Sequence, residues 1–216
     1  MLRLPKFLYV VALFALTASM AIAQSGPAKA HSSKNQKPPS HGSVLVFTNF
    51  TGPGGWDTAD GYFVDGADFF DQVLAGGFTP SSTVTFADTA LAMGIYTPDG
   101  SALNGTARVY LESDAGGIPG TILDGPLAQQ NGIRDFQNGF GGNVVQFNCV
   151  TCPVLNAGTQ YWIVAAQFRA PVEDTWDFSL GDFSSPFAFN QSGAILGGWL
   201  SVGSGYTRMA WQVDGN

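Results

Sequence analysis

Thr106-Ala107-Arg108-Val109-Tyr110-Leu111-Glu112 alternates apolar and polar side chains, with Asn104-Gly105 before it and Gly116-Gly117 after it. Ala107, Val109 and Leu111 point one way, and Thr106, Arg108, Tyr110 and Glu112 the other. That period of two is what a half-buried strand requires. The glycine-bearing dipeptides supply the positive φ of tight turns. The same pattern recurs outward in both directions. It predicts strands at Ser43–Asn49, Val73–Phe78, Thr83–Phe86, Thr89–Tyr96, Thr121–Gln129, Asn143–Asn148, Thr159–Phe168, Trp176–Leu180, Ala194–Leu200 and Tyr206–Val213. Tyr161-Trp162-Ile163-Val164-Ala165-Ala166 is apolar throughout, as expected of a central strand covered on both faces. The best helical candidate, Ala67–Ala75, offers a turn or two at most. Short strands at this spacing predict an all-β, single-domain antiparallel β-sandwich with jelly-roll-like connections, a barrel being the alternative.

Ahead of that domain the composition changes twice. Arg3 and Lys6 precede an apolar run from Leu8 to Ala23 that closes on Ala21-Ile22-Ala23, the small-x-small pattern of a signal peptidase site. The run is shorter than the roughly 20 residues that span a bilayer. Residues 1–23 are therefore expected to be a cleaved signal peptide, leaving no membrane span. Residues 24–42, with Lys29, Lys34, Lys37, Pro38 and Pro39 and no apolar period, read as a solvated linker. The remainder, 43–216, has roughly 175 residues, enough for one core.

Charge narrows the function classes. Beyond Gly42 there are four arginines, no lysine and all sixteen acidic residues, a formal charge of −12. Such a surface repels phosphate backbones, so nucleic acid is excluded as the expected partner. Both histidines, His31 and His41, lie in the linker. A Ser-His-Asp or Cys-His arrangement thus has no base within the domain. Glycoside hydrolysis stays chemically open because two carboxylates suffice, and Glu112 and Glu173 are the only glutamates. The expectation is that the protein is not an enzyme.

Val109–Leu123, a strand, a glycine turn at Gly116-Gly117 and a Pro119-Gly120 step, resembles the choice-of-anchor R domain family. Pro153–Val164, where Leu155-Asn156-Ala157-Gly158-Thr159 leads into Tyr161-Trp162, resembles the same family's later stretch, and Phe78–Ser82 and Tyr206–Val213 also fit. The resemblance runs from Val73 to Val213. It implies an exported bacterial β-sandwich with no shared enzymatic role, whose relatives carry varied C-terminal anchors. This chain ends at Gly215-Asn216 with no recognisable anchor, so release or non-covalent retention is expected.

Four groups of residues carry chemistry. Cys149 and Cys152, with two residues between them in an all-β context, are expected to form a disulfide rather than a redox pair, since the latter wants a helix N-terminus. Asp57, Asp60, Asp65, Asp68 and Asp71, interspersed with Gly61 and Gly66, are candidate calcium ligands on a flexible loop. A solvated acidic loop is the alternative, and Glu173, Asp174 and Asp177 form a weaker second cluster. Trp56 and Trp176 adjoin loop residues and are candidate stacking platforms for a sugar, whereas Trp162, Trp199 and Trp211 are expected in the core. Asn49-Phe50-Thr51, Asn104-Gly105-Thr106 and Asn190-Gln191-Ser192 match the N-glycosylation acceptor. The functional expectation is a secreted, extracellular or periplasmic module with a structural, adhesive or binding role. Its partners would be extracellular polysaccharide or envelope components, and carbohydrate binding or degradation is the alternative.

Overall fold

The computed structural model describes residues 43–50, 55–64, 72–96, 105–134, 142–167 and 173–216. The signal-peptide and linker readings, the helical candidate's first residues, and Asp65, Asp68 and Asp71 lie outside them. Among the described residues the chain forms strands only: β1 (Val44–Thr48), β2 (Trp56–Val64), β3 (Val73–Phe78), β4 (Val84–Tyr96), β5 (Ala107–Asp114), β6 (Pro119–Asp124) and β7 (Ala128–Gln129). They are followed by β8 (Asn143–Asn148), β9 (Val154–Leu155), β10 (Tyr161–Gln167), β11 (Glu173–Ser179), β12 (Phe187–Asn190), β13 (Leu200–Val202) and β14 (Trp211–Gly215). One sheet runs β1-β14-β4-β11-β2, with β7, β8 and β9 joined through β4; the other runs β13-β12-β3-β10-β5-β6. Every pairing is antiparallel and neither sheet closes on itself, so the molecule is a β-sandwich and not the barrel held as the alternative. The chain crosses repeatedly between the sheets, as a jelly-roll-like connection requires.

The inward residues are those that the alternation singles out. Leu74, Leu91, Met93, Ile95, Val109, Leu111, Ile163 and Val213 are all buried between the sheets. Burying each contributes on the order of 1.5–3 kcal/mol, which makes this layer the main source of stability. Trp176 and Trp211 meet edge to face within it, 5.9 Å between ring centroids, and Phe47 stacks on Trp211 at 4.8 Å. The outer faces are apolar too. Ala75, Tyr110, Trp162, Val164 and Trp199 cluster on the far side of the six-stranded sheet. Trp162 and Trp199 are thus buried as expected, but outside the layer between the sheets. Trp56 packs on Ala90, Ala92, Val144 and Ala210 on the far side of the other sheet.

Three differences from the predicted strands have local causes. Thr83–Phe86 and Thr89–Tyr96 are one strand, β4, because Asp88 sits in the ladder between Asp214 and Asn148 instead of in a turn. Thr121–Gln129 splits into β6 and β7 at Gly125-Pro126, since proline cannot donate to a ladder. Ala194–Leu200 is irregular up to β13, because Gly197 and Gly198 have φ of +75° and +71° and Asn190 ties the loop to itself. β2, β9 and β12 lie outside the predicted strands, and the predicted Tyr206–Val213 strand begins only at Trp211.

Candidate functional site

The expected disulfide joins Cys149 and Cys152, with Cα atoms 5.0 Å apart. A second device holds the same turn. The Asp124 carboxylate, at the end of β6, accepts the amides of Val150 and Thr151 at 3.0 Å and of Cys152 at 3.2 Å. The disulfide's small loop contributes about 2 kcal/mol on chain-entropy grounds. Amide bonds to a carboxylate contribute roughly 1.5–3 kcal/mol each. Water takes over part of that bonding at this half-buried turn, so Asp124→Ala is expected to lower stability by about 3 kcal/mol, more than Cys149→Ser with Cys152→Ser. Parallel urea melts of the two variants compare them directly.

Other acids are used in the same way. Asp114 accepts the amides of Gly116 (3.0 Å) and Gly117 (3.1 Å), which have φ of +80° and +90°. It also accepts Gln160 Nε2 and Trp162 Nε1, each at 2.9 Å, so one carboxylate ties the β5–β6 hairpin to the start of β10. Asp182 accepts the amides of Ser184 and Ser185, the Ser185 hydroxyl and Asn49 Nδ2. Burial pushes Asp182 up, but the bonds from Ser185, Asn49 and Ser184 outweigh it and leave the carboxyl below its usual range.

Both tryptophans nominated for sugar stacking are buried, which corrects that expectation. Trp176 is 0% exposed, with its indole N–H donating to the Ala210 carbonyl at 3.0 Å. Its inward position on β11 places it between the sheets. Trp56 is 4% exposed because the alanines beneath it leave a recess that its ring fills. Neither offers a ring face to a ligand. Asn49 and Asn190 are buried as well, with their Nδ2 atoms donating to backbone carbonyls, so both acceptor triplets serve the fold; Asn104 lies outside the described residues.

The calcium expectation placed its aspartates on a loop. Asp57 and Asp60 instead belong to strand β2, which pairs with β11. Asp177 stands opposite Gly61 and Ser179 opposite Trp56, so β2 carries Asp57–Asp60 where β11 carries Phe178 alone. This bulge brings the first acidic stretch alongside the second. The backbones close up tightly there: a Cβ on Gly61 would stand 2.7 Å from the Trp176 carbonyl oxygen.

Asp177 is the deepest member, 0% exposed on the outer face of its sheet. Its Oδ1 accepts the Thr175 hydroxyl at 2.9 Å, while Oδ2 has no hydrogen-bond partner. Burial pushes the carboxyl well above its usual range; the Thr175 bond opposes that, and Asp57 and Asp60 add to it. Gly142, at φ +65°, packs closely on Oδ2: a Cβ there would stand only 2.8 Å from it and 2.6 Å from the Met93 carbonyl oxygen. Asp60, exposed, is raised by burial and by Asp57. Among the described residues no three His, Cys, Asp or Glu side chains already converge at metal-ligating geometry.

Two further features lie elsewhere. Glu112 on β5, opposite Trp162 and Ile122, is 0% exposed rather than a solvated outward residue. Neither of its oxygens has a partner, and burial raises its pKa to about 8. A cleft of about 320 Å³ opens beside the disulfide, lined by Asp88, Asn148, Cys149, Cys152 and Asn216 among others.

No helix of the described residues is long and apolar enough to cross a membrane. No family model, no curated protein and no solved structure matches the chain.

Proposed function

We propose that the protein is an exported β-sandwich module with an adhesive, structural or binding role, working outside the cytoplasm rather than as an enzyme. The observation that carries this reading is a pair of stapled loops with apolar tips. Leu180, Phe183 and Tyr206 are 51%, 53% and 55% exposed. Their loops are fastened to each other, since the Arg208 amide donates to the Asp182 carbonyl at 3.0 Å and Arg208 Nε to the Ser185 carbonyl at 2.6 Å. Arg208 itself is 2% exposed and lies over the Phe187 ring, 5.6 Å from its centroid. Apolar side chains held out on rigid loops favour association with a partner surface. The export signal features, the disulfide and the likeness of two stretches to exported choice-of-anchor R proteins support the location. Hydrolysis is disfavoured because Asp114, Asp124 and Asp182 are committed to turn amides, while Glu112 and Asp177 occupy different sheets.

With Trp56 and Trp176 buried, carbohydrate binding rests on Tyr206 and Phe183. Sedimentation of the purified protein with insoluble polysaccharides and envelope fractions is the test. Uptake by one of them that falls at least tenfold in Phe183→Ser or Tyr206→Ser supports the binding role and names its partner. Release of reducing sugar, abolished by Glu112→Gln or Asp177→Asn, would overturn the non-enzymatic reading.

A further inference from the structure

We propose that Arg208 is the anion-recognition residue of the stapled loops, and that the partner it selects is a polysaccharide carrying carboxylates. The inference rests on the binding role proposed above and names its ligand class. The Arg208 side chain is 2% exposed, yet its donors are only partly used: Nε donates to the Ser185 carbonyl at 2.6 Å and Nη2 to the Gly203 carbonyl at 3.0 Å. Nη1 has no hydrogen-bond partner. Both acceptors are neutral carbonyls, and no carboxylate of the described residues forms an ion pair with Arg208. Asp182 lies on the loop that the Arg208 amide grips, but its carboxylate is turned to Ser184, Ser185 and Asn49. A buried charge without a counter-charge is costly. A buried carboxyl escapes that cost by taking up a proton, whereas a guanidinium cannot shed one. An anion from outside the chain is the remaining means of compensation.

The surroundings give an anion a way in. Gly203, whose carbonyl meets Nη2, is exposed, and nothing stands within 4 Å of where its Cβ would be. The same holds for Gly205, at φ +96°. A carboxylate arriving over this bare stretch displaces the Gly203 carbonyl and takes Nη1 and Nη2 together, the parallel two-bond geometry that arginine forms with carboxylates. Phe183 and Tyr206, 53% and 55% exposed, stand on the two loops that Arg208 ties together. A pyranose held by its carboxylate can lay an apolar face on one of those rings. Beyond Gly42 the chain carries a formal charge of −12, so the rest of the surface repels a polyanion. Salt screens that long-range repulsion beyond a Debye length of about 8 Å at physiological strength, and screens a buried pair much less. Binding is therefore expected to hold or strengthen as salt rises from about 10 mM to about 150 mM, the opposite of binding by a basic surface patch.

Two measurements on the purified protein test this. In thermal melts, galacturonate at a hundredfold excess over Kd is expected to raise Tm by roughly 5–10 °C, and uncharged galactose at the same concentration to leave it unchanged. In binding assays, polygalacturonate is compared with its methyl ester, which keeps the sugar and removes the charge. The acid form should bind at least tenfold more tightly than the ester, and Arg208→Gln should abolish that preference. Arg208→Gln also removes two loop ties, so Ser204→Asp is its companion. Ser204 is exposed and adjoins Gly203; a carboxylate there competes for the guanidinium and should weaken binding of the acid form at least tenfold with the fold intact. Equal binding of acid and ester, or no galacturonate effect on Tm, would overturn the role of Arg208 and leave the binding role standing. A Tm response to galacturonate without binding of polygalacturonate would overturn the polysaccharide as partner. The binding role itself falls only if no polysaccharide or envelope fraction is taken up, so the two fail separately.

Discussion

Glu112→Gln is expected to leave stability near pH 4 unchanged and to raise it steeply by pH 8.5. The carboxyl titrates near 4.5 in the unfolded chain and near 8 in the folded one, because burial beside Tyr110, Trp162 and Ile122 disfavours its charge. Between those values the folded state holds a proton that the unfolded state has released. Stability therefore falls as pH rises from 4.5 to 8, by about 1.4 kcal/mol per unit, and is constant outside that window as far as this group is concerned. The full span amounts to at most about 5 kcal/mol. The outer face of a sheet admits water more readily than the layer between sheets, which pulls the realised value below that bound. Glutamine keeps the shape and carries no charge at any pH. Urea melts from pH 4 to pH 9 should show a slope in the parent that is absent in Glu112→Gln. Equal slopes would mean that Glu112 ionises without penalty and has solvent or a partner in the folded state.

Asn49→Ala is expected to lower stability by about 4 kcal/mol, or roughly 10 °C in Tm, although the residue touches no ligand and sits at a strand end. Its amide joins three segments. Nδ2 donates to the Met209 carbonyl at 2.7 Å and to Asp182 at 2.9 Å, and Oδ1 accepts the Trp211 amide at 2.8 Å. Its backbone carbonyl accepts the Ser179 hydroxyl at 2.7 Å. Truncation to alanine strands the Met209 carbonyl and the Trp211 amide in the interior, and each stranded group costs about 1–3 kcal/mol. The Asp182 carboxylate retains Ser184 and Ser185, so it relaxes at little cost. A thermal melt showing a drop below 2 °C would mean that water replaces the side chain.

The same residue shows where reading the chain stops. Asn49-Phe50-Thr51 as a string matches a glycan acceptor, and only Asp182, Met209 and Trp211, brought from the far end of the chain, turn Asn49 into a buried fastener. Trp56 is similar: beside aspartate and glycine it reads as an exposed ring, and the recess over Ala90, Ala92 and Ala210 buries it. β2 escaped notice because its bulge breaks the alternation that marks a strand and fills the gap with aspartates. Glu112 was placed on the correct face of β5, yet that face proved to be covered.

The amino-acid string alone determined the all-β character, the two-sided burial of Tyr161–Ala166 and the Cys149–Cys152 pair. It also specified the acidic charge balance beyond Gly42. These follow from periods and spacings written into neighbouring residues, so they need no knowledge of the rest of the chain. Tertiary structure decided which outward faces are dry, which carboxylates hold turns, and that β2 pairs with β11. Those outcomes depend on strand register and on what packs above a sheet, contacts between separate strands and turns that no alternation within one segment encodes.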